Sequence, residues 1–209
     1  MRKGRFISFE GCEGCGKSTQ VRLLKEYLTE KGIPFVAARE PGGTEISEKI
    51  REIILDKSNA AMTDATEALL YAAARCQIIN EVISPALNEG KLVILDRYID
   101  SSFAYQAYAR GLGYDFVAKA NDYALRTCMP DLTIFMDVDP ERAFNRKGGV
   151  DKTDRLELAG LEFHKKVYLG YKELLKKTPE RFAIFAADGT KYETNALIIE
   201  YLKGRGYIE

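Results

Sequence analysis

Short apolar runs alternate along the chain with longer stretches in which apolar residues recur every three or four positions. In residues 17–30, for example, Val21, Leu24 and Leu28 share one face of a helix. Five apolar runs have the length of a strand, at residues 5–10, 35–38, 92–95, 132–136 and 182–185. The helical stretches cover residues 17–30, 45–55, 63 to between 85 and 88, 101–110, 114–126, 155–177 and 193–203. Because strands separated by helices favour a parallel sheet covered on both faces, the pattern predicts a three-layer α/β/α fold with a five-stranded parallel sheet.

The composition limits the number of domains and the kinds of partner. The chain has 209 residues, 46% of them hydrophobic, so we expect one domain over residues 1–209. Its 31 Lys and Arg balance its 31 Asp and Glu, which gives no general attraction to nucleic acid or to a membrane. The basic start at residues 1–5 lacks the apolar core of a signal peptide, and no segment is long enough to span a bilayer. We therefore expect a cytoplasmic protein with no nucleic acid polymer or membrane as partner.

A glycine-rich loop lies between the first strand and the first helix. It matches the phosphate-binding pattern G-x-x-x-x-G-K-[ST] of a P-loop, in the required strand–helix context. The glycines permit backbone angles that turn N–H groups onto an anion, and the following helix adds the positive end of its dipole. We expect Lys17 to reach the β- and γ-phosphates of ATP and Ser18 to bind Mg²⁺. The predicted ATP-binding residues are Gly11, Cys12, Glu13, Gly14, Cys15, Gly16, Lys17, Ser18 and Thr19.

Two of the four cysteines form a C-x-x-C within this loop, which suggests a metal or redox site. However, no second C-x-x-C exists to complete a zinc site, and His164 is the only histidine. Cys12 and Cys15 also occupy variable positions of the loop pattern. We interpret them as small side chains at permissive positions, and a regulatory thiol pair remains the alternative.

A carboxylate and an arginine follow the third strand. Asp96 lies at the carboxyl end of a buried strand, where ligands bind in such sheets, so it is a candidate metal ligand, directly or through water. Arg97 beside it suits an acceptor that is itself an anion. A strand-end ion pair is the structural alternative, and Asp137 after the next strand is a rival for the metal role. We prefer Ser18 and Asp96 as the Mg²⁺ ligands because Arg97 stands next to Asp96.

Further motifs are spread over most of the chain. They are Arg39-Glu40-Pro41-Gly42-Gly43-Thr44 running to Arg51, Leu69-Leu70-Tyr71-Ala72-Ala73-Ala74-Arg75, Asp96-Arg97-Tyr98 through Ser101-Ser102 to Tyr105-Gln106, and Asp154-Arg155-Leu156-Glu157. Together with the P-loop, they make the chain similar to the thymidylate kinases, a family of P-loop nucleoside monophosphate kinases. The resemblance implies transfer of the γ-phosphoryl group of ATP to dTMP with Mg²⁺, giving dTDP and ADP, by a homodimer.

The resemblance also implies an acceptor site. Tyr71 and Arg75 are four residues apart, so they share one helix face, where a ring can stack on a base and a guanidinium can donate to a base carbonyl. Core packing is the alternative for Tyr71 taken alone, and a solvated helix face is the alternative for Arg51 and Gln106. The residues that the resemblance assigns to dTMP are Glu13, Glu40, Pro41, Arg51, Tyr71, Arg75, Arg97, Ser101, Ser102, Tyr105 and Gln106.

The segment from about 142 to 153 is charged and contains two glycines, so we expect a short mobile lid there. Because Gly14 stands where some relatives carry an arginine, the resemblance implies that a lid cation lies over the transferring group, and Arg146 is preferred to Lys147 and Arg142. Lys17, Arg97 and Arg146 are thus the predicted catalytic residues. Because the acceptor phosphate is already an anionic nucleophile, we expect direct in-line transfer without a general base. The loop at residues 187–190 is expected, from the resemblance, to face the adenine.

Other functions of P-loop proteins fit less well. A GTP-binding switch usually carries [N/T]-K-x-D after a strand, and the sequence has no such motif. A nucleotide-binding regulatory module is a second alternative, and only an activity test with ATP and monophosphates excludes it. A kinase for deoxynucleosides or for a broader set of pyrimidine monophosphates is the closest enzymatic alternative. Tyr71 also stands where phenylalanine is usual in the family, so its hydroxyl needs a partner.

Overall fold

The computed structural model describes residues 3–146 and 160–209. Five parallel strands form one sheet in the order β2-β3-β1-β4-β5. They are β1 Phe6–Glu10, β2 Phe35–Arg39, β3 Leu92–Asp96, β4 Leu132–Met136 and β5 Phe182–Phe185. All five predicted strands are confirmed to within one residue at each end, and so is the fold class.

The central strands are apolar along their whole length because helices cover both faces of the sheet. All five residues of β1 and of β4 are buried. Alternate side chains enter two separate cores: Phe6 and Phe135 pack on one face, and Ile7 and Ile134 on the other. In the register of the sheet, Phe9 lies opposite Asp96, so the ends of β1 and β3 lie side by side.

The helices fill the connections between the strands. Their bounds are α1 Lys17–Glu30, α2 Glu45–Leu55, α3 Asp64–Ile78, α4 Ser84–Asn88, α5 Ile99–Ser102, α6 Tyr114–Ala120, α7 Asp122–Thr127, α8 Pro140–Arg146, α9 Gly160–Lys177 and α10 Lys191–Gly204. Two π-helical segments, Ile79–Ile83 and Phe103–Ala109, and two 3₁₀ turns, Lys57–Asn59 and Pro179–Arg181, complete the described helices.

Threonine caps fix the starts of three helices. The side chains of Thr44, Thr63 and Thr190 accept hydrogen bonds from backbone N–H groups three residues later, at the starts of α2, α3 and α10. At α10, Glu193 returns a hydrogen bond to the Thr190 backbone and completes a capping box. Each such cap stabilises its helix by about 1 kcal/mol.

Three helical predictions need correction. The segment predicted as a helix over 101–110 begins at Ile99 and is π-helical over Phe103–Ala109, and the long helix after Thr63 contains the π turn Ile79–Ile83. The predicted helix over 114–126 divides at Asn121, whose side chain faces Arg75. The segment predicted as a lid from about residue 142 begins inside a helix, because Asp139 caps the backbone of Glu141 and Arg142 and α8 runs to Arg146.

Part of the predicted lid, residues 147–153 with Lys147, lies outside the described residues, as does the motif Asp154-Arg155-Leu156-Glu157. Within the described ranges, no helix is long and apolar enough to cross a membrane.

Candidate active site

A cavity of about 470 Å³ opens at the carboxyl end of the sheet, a size that suits a small ligand. It is lined by Glu13, Gly14, Gly16, Lys17, Ser18, Thr19, Arg39, Glu40, Pro41, Arg51, Leu55, Tyr71, Arg75, Asp96, Arg97, Tyr98, Ser101, Ser102, Tyr105, Gln106 and Arg146. Every residue predicted for the acceptor side is in this set. Of the predicted loop residues, Gly11, Cys12 and Cys15 are not.

The loop after β1 has the backbone that the glycine pattern requires. Gly11, Gly14 and Gly16 have φ angles of 140°, 74° and 100°. At Gly11, a Cβ atom would lie 2.8 Å from both the Cys15 sulfur and the Met136 carbonyl oxygen, so no side chain fits. Lys17 begins α1 and is only 6% exposed, and its Nζ donates to the carbonyl oxygens of Gly11 and Cys12 at 3.0 and 2.8 Å. The ammonium is therefore held at the rim of the loop.

The side chains of the two loop cysteines are buried. Cys12 packs in the core on one face of the sheet and Cys15 in the core on the other. Burial raises the pKa of the Cys12 thiol to about 12, which keeps it protonated and a poor nucleophile. All four cysteines are free thiols. As predicted ATP-binding residues, Cys12 and Cys15 can therefore contribute only through their backbone.

Ser18 and Asp96 meet at the edge of the cavity, where the Ser18 hydroxyl donates to Asp96 Oδ2 at 2.5 Å. A hydroxyl and a carboxylate side by side provide the oxygen ligands that Mg²⁺ prefers, so these residues fit such an ion. The rival carboxylate, Asp137, is instead paired with Lys172 at 2.6 Å and accepts a hydrogen bond from Tyr168.

Arg97, directly after β3, has an unfavourable backbone conformation. Its φ is 70°, in the left-handed region that non-glycine residues rarely adopt, and its guanidinium lies over the ring of Tyr105. One terminal nitrogen donates to Glu13 at 2.6 Å. The other donates to the Gly11 carbonyl oxygen at 3.1 Å. Lys17 and Arg97 thus meet at the same carbonyl oxygen of the phosphate-binding loop.

A buried carboxylate that the sequence analysis did not assign lies behind Arg97. Glu10, the last residue of β1, is fully buried and accepts hydrogen bonds from the Tyr98 N–H at 2.8 Å, the Ser101 hydroxyl at 2.6 Å and the Tyr171 hydroxyl at 2.7 Å. Burial, and next the charge of Asp100, raise the pKa of Glu10 to about 7. A single acidic residue at the end of an apolar strand was the only signal in the sequence.

Arg75 forms the rear wall of the cavity and is 1% exposed. Its five N–H groups all have partners: two donate to Glu40, and the others to Ser102, Asn121 and the Tyr98 carbonyl oxygen. Donation to a base carbonyl therefore requires sharing an N–H that already has a partner. Burial raises the pKa of Glu40, and the charge of Arg75 opposes that rise.

The remaining acceptor-side residues surround the same space. Tyr71 is half-buried at the cavity wall, and the Arg51 guanidinium donates to the Pro41 carbonyl oxygen at 3.0 Å. Gln106 is 2% exposed and donates to buried Glu67 at 2.9 Å. The alternative of a solvated helix face is thereby wrong for Gln106. Arg39 also lines the cavity, although the sequence analysis named it only within a motif and predicted no role for it.

Arg146 reaches the cavity from the end of α8. Its guanidinium donates to the Ala187 carbonyl oxygen at 3.0 Å, in the loop expected to face the adenine. Arg142 is paired with Asp188 in the same loop and does not line the cavity. Of the two described candidates for the lid cation, only Arg146 has its side chain at the site.

The P-loop, the Ser18–Asp96 pair and the arginines around one cavity define a P-loop kinase of small nucleotides. The family model described as thymidylate kinase matches residues 9–198. A thymidylate kinase of Caldanaerobacter subterraneus subsp. tengcongensis is 48% identical over 97% of this chain and 98% of its own length. One from Bacillus velezensis is 50% identical over 90% of each chain. The chain belongs to the thymidylate kinase family.

Proposed function

We propose that the protein transfers the γ-phosphoryl group of ATP to dTMP, giving ADP and dTDP. The observation that carries this proposal is the shared contact of Lys17 and Arg97 with the Gly11 carbonyl oxygen. Lys17 belongs to the nucleotide loop and Arg97 faces the acceptor side. Their meeting point is where a donor phosphate and an acceptor phosphate would approach each other.

In this proposal, catalysis consists of positioning and charge neutralisation. The backbone N–H groups of the loop and Lys17 bind the phosphates of ATP, while Arg97 and Arg51 bind the phosphate of dTMP. An oxygen of the dTMP phosphate attacks the γ-phosphorus in line, and the bond to the β-phosphate oxygen breaks, leaving ADP. Arg146 neutralises charge on the transferring group from the α8 side. No protein base is needed, because the attacking oxygen is already ionised.

Ser18 and Asp96 would hold Mg²⁺, Asp96 directly or through water. When bound, the ion neutralises the charge that develops on the β- and γ-phosphate oxygens. The short Ser18–Asp96 hydrogen bond supports this assignment because it places a hydroxyl and a carboxylate oxygen together beside the loop.

The acceptor base would lie between Tyr71 and the wall formed by Arg75, Ser102 and Gln106. Pro41 and Glu40 close one side, and Ser101, Tyr105 and Glu13 face the sugar. All these positions line the same cavity as Lys17 and Ser18, which supports an acceptor site that opens towards the proposed ATP phosphates. The protein is proposed to act in the cytoplasm, since its four free thiols suit a reducing compartment.

A substrate panel tests the proposal directly. With ATP and Mg²⁺, we expect kcat/KM for dTMP to exceed that for dUMP, dCMP and dAMP by about tenfold or more, because the pocket contacts distinguish the bases. Thymidine should not be phosphorylated, because it lacks the anion that Arg97 is placed to bind. Coupled ADP release measures each rate. Equal rates across the monophosphates would indicate a broader kinase, and no turnover with any of them would indicate a regulatory module.

We also propose that the protein is a homodimer that buries the outer faces of α2 and α3. Ile46, Ile53 and Leu69 are 48–53% exposed on these two helices, which pack together, and a dimer contact there would remove their apolar surface from water. Sedimentation should give twice the mass of the chain, and Leu69→Glu should yield monomers because a charge cannot be buried unpaired. A monomeric parent protein at micromolar concentration would refute this.

A further inference from the structure

A group of polar side chains lies behind Arg97 and includes Glu10, one of several buried charges in the described residues. Most of those charges have a direct partner of opposite sign, such as Glu40 with Arg75 and Asp100 with Arg181. Glu10 differs, because its hydrogen bonds come from backbone N–H groups and hydroxyls. The two hydroxyls, those of Ser101 and Tyr171, also contact Arg97.

We propose that Glu10 is a positioning residue that aims the Arg97 guanidinium at the acceptor phosphate. It acts on Arg97 through two connections, one to the backbone and one to the side chain. The inference rests on the proposed function, because Arg97 is the proposed ligand of that phosphate.

The first connection holds the turn that contains Arg97. Glu10 Oε1 accepts from the N–H of Tyr98 at 2.8 Å and from the N–H of Ser101 at 3.3 Å. Tyr98 directly follows Arg97, whose φ of 70° is costly for a non-glycine residue. A carboxylate buried beneath the turn therefore stabilises the backbone geometry that Arg97 requires.

The second connection sets the direction of two hydroxyl groups. Glu10 Oε2 accepts from Ser101 Oγ at 2.6 Å and from Tyr171 OH at 2.7 Å. The two hydroxyl oxygens also lie 2.9 Å from each other, but an ionised carboxylate can only accept and is the stronger acceptor, so both hydroxyl protons point towards Glu10. The hydroxyl lone pairs are then available to Arg97, whose terminal nitrogen lies 3.2 Å from Ser101 Oγ and 3.4 Å from Tyr171 OH. Glu10 thus makes both hydroxyls acceptors for the guanidinium.

The variant Glu10→Gln tests the proposal with little change of shape. Its amide oxygen takes the place of Oε1, since two N–H groups point there, so its NH₂ group occupies the place of Oε2. That group donates to the two hydroxyls and turns their protons towards the Arg97 N–H groups, which displaces the guanidinium. We expect KM for dTMP to rise about tenfold or more, while KM for ATP stays within about twofold.

The matched control is Ser8→Ala. Ser8 lies on the same strand and is also fully buried. The variant removes the hydrogen bond between Ser8 Oγ and Thr133 Oγ1, a pair that does not include Arg97. It should lower the unfolding temperature and leave KM for dTMP unchanged. Assays at about pH 8 keep Glu10 ionised in the parent protein.

The outcomes separate the two proposals. A parent protein without dTMP turnover refutes the proposed function, whereas an active parent and an unchanged KM for dTMP in Glu10→Gln refute the positioning role. Equal rises in both KM values indicate a general structural defect and also refute it. If Glu10→Gln does not fold, Tyr171→Phe removes one of the two hydroxyls and should raise KM for dTMP alone, by about threefold. No change in that variant would likewise count against the proposal.

Discussion

Replacing Lys17 by alanine is expected to lower kcat by about a thousandfold while the protein remains folded. The ammonium of this loop residue is 6% exposed and is fixed by two loop carbonyl oxygens. A positioned group that stabilises charge only in the transition state contributes on the order of 10²–10³ in rate, and Lys17 is also proposed to orient the phosphates. Steady-state kinetics with ATP and dTMP measures the loss.

The control for Lys17→Ala is Lys25→Ala. Lys25 lies on the same helix, α1, but is exposed, so its removal should leave kcat unchanged. Thermal unfolding of both variants checks that the fold is retained. If Lys17→Ala kept more than about a tenth of the parent kcat, Lys17 could not be the catalytic cation of the loop.

Replacing Arg97 should reduce kcat/KM for dTMP by about 10³-fold, because Arg97 is the proposed main cation at the acceptor phosphate. Alanine at this position would also have to adopt the φ of 70°, which glycine tolerates. Arg97→Gly therefore removes the guanidinium without adding backbone strain, and Arg97→Lys keeps the charge but loses the planar fork. We expect the lysine variant to retain partial activity and the glycine variant almost none.

Arg126→Ala is the corresponding control, since that guanidinium is exposed and pairs with Asp122 within α7. Fluorescence titration with dTMP separates binding from chemistry in each variant. Unchanged dTMP affinity and turnover in Arg97→Gly would show that the acceptor phosphate lies elsewhere.

The strands and the loop could be predicted because their signals are local. A strand in a parallel sheet that is covered on both faces is a continuous apolar run in the sequence. The glycines of the P-loop pattern determine the backbone conformation of that loop. The bounds of α1 and α2 agree with the structure for the same reason, since a glycine or a threonine cap lies at each start.

The roles of the buried polar residues could not be predicted, because they depend on neighbours distant in sequence, and an apolar period of three to four residues does not distinguish a π-helical turn from an α-helical one. Glu10 receives hydrogen bonds from Ser101 and Tyr171, which lie 91 and 161 residues away. Arg75 was assigned to the base from its spacing with Tyr71, yet its partners come from three other parts of the chain. Asn121, where the predicted helix divides, makes one of those contacts.

The saturated guanidinium of Arg75 has a consequence for ligand affinity. A side chain with five satisfied donors is already immobilised in the free protein, so the entropy of ordering this wall is lost during folding and not during association. A nucleotide that enters the cavity meets a surface with a fixed shape on that side, and more of its contact energy remains as affinity.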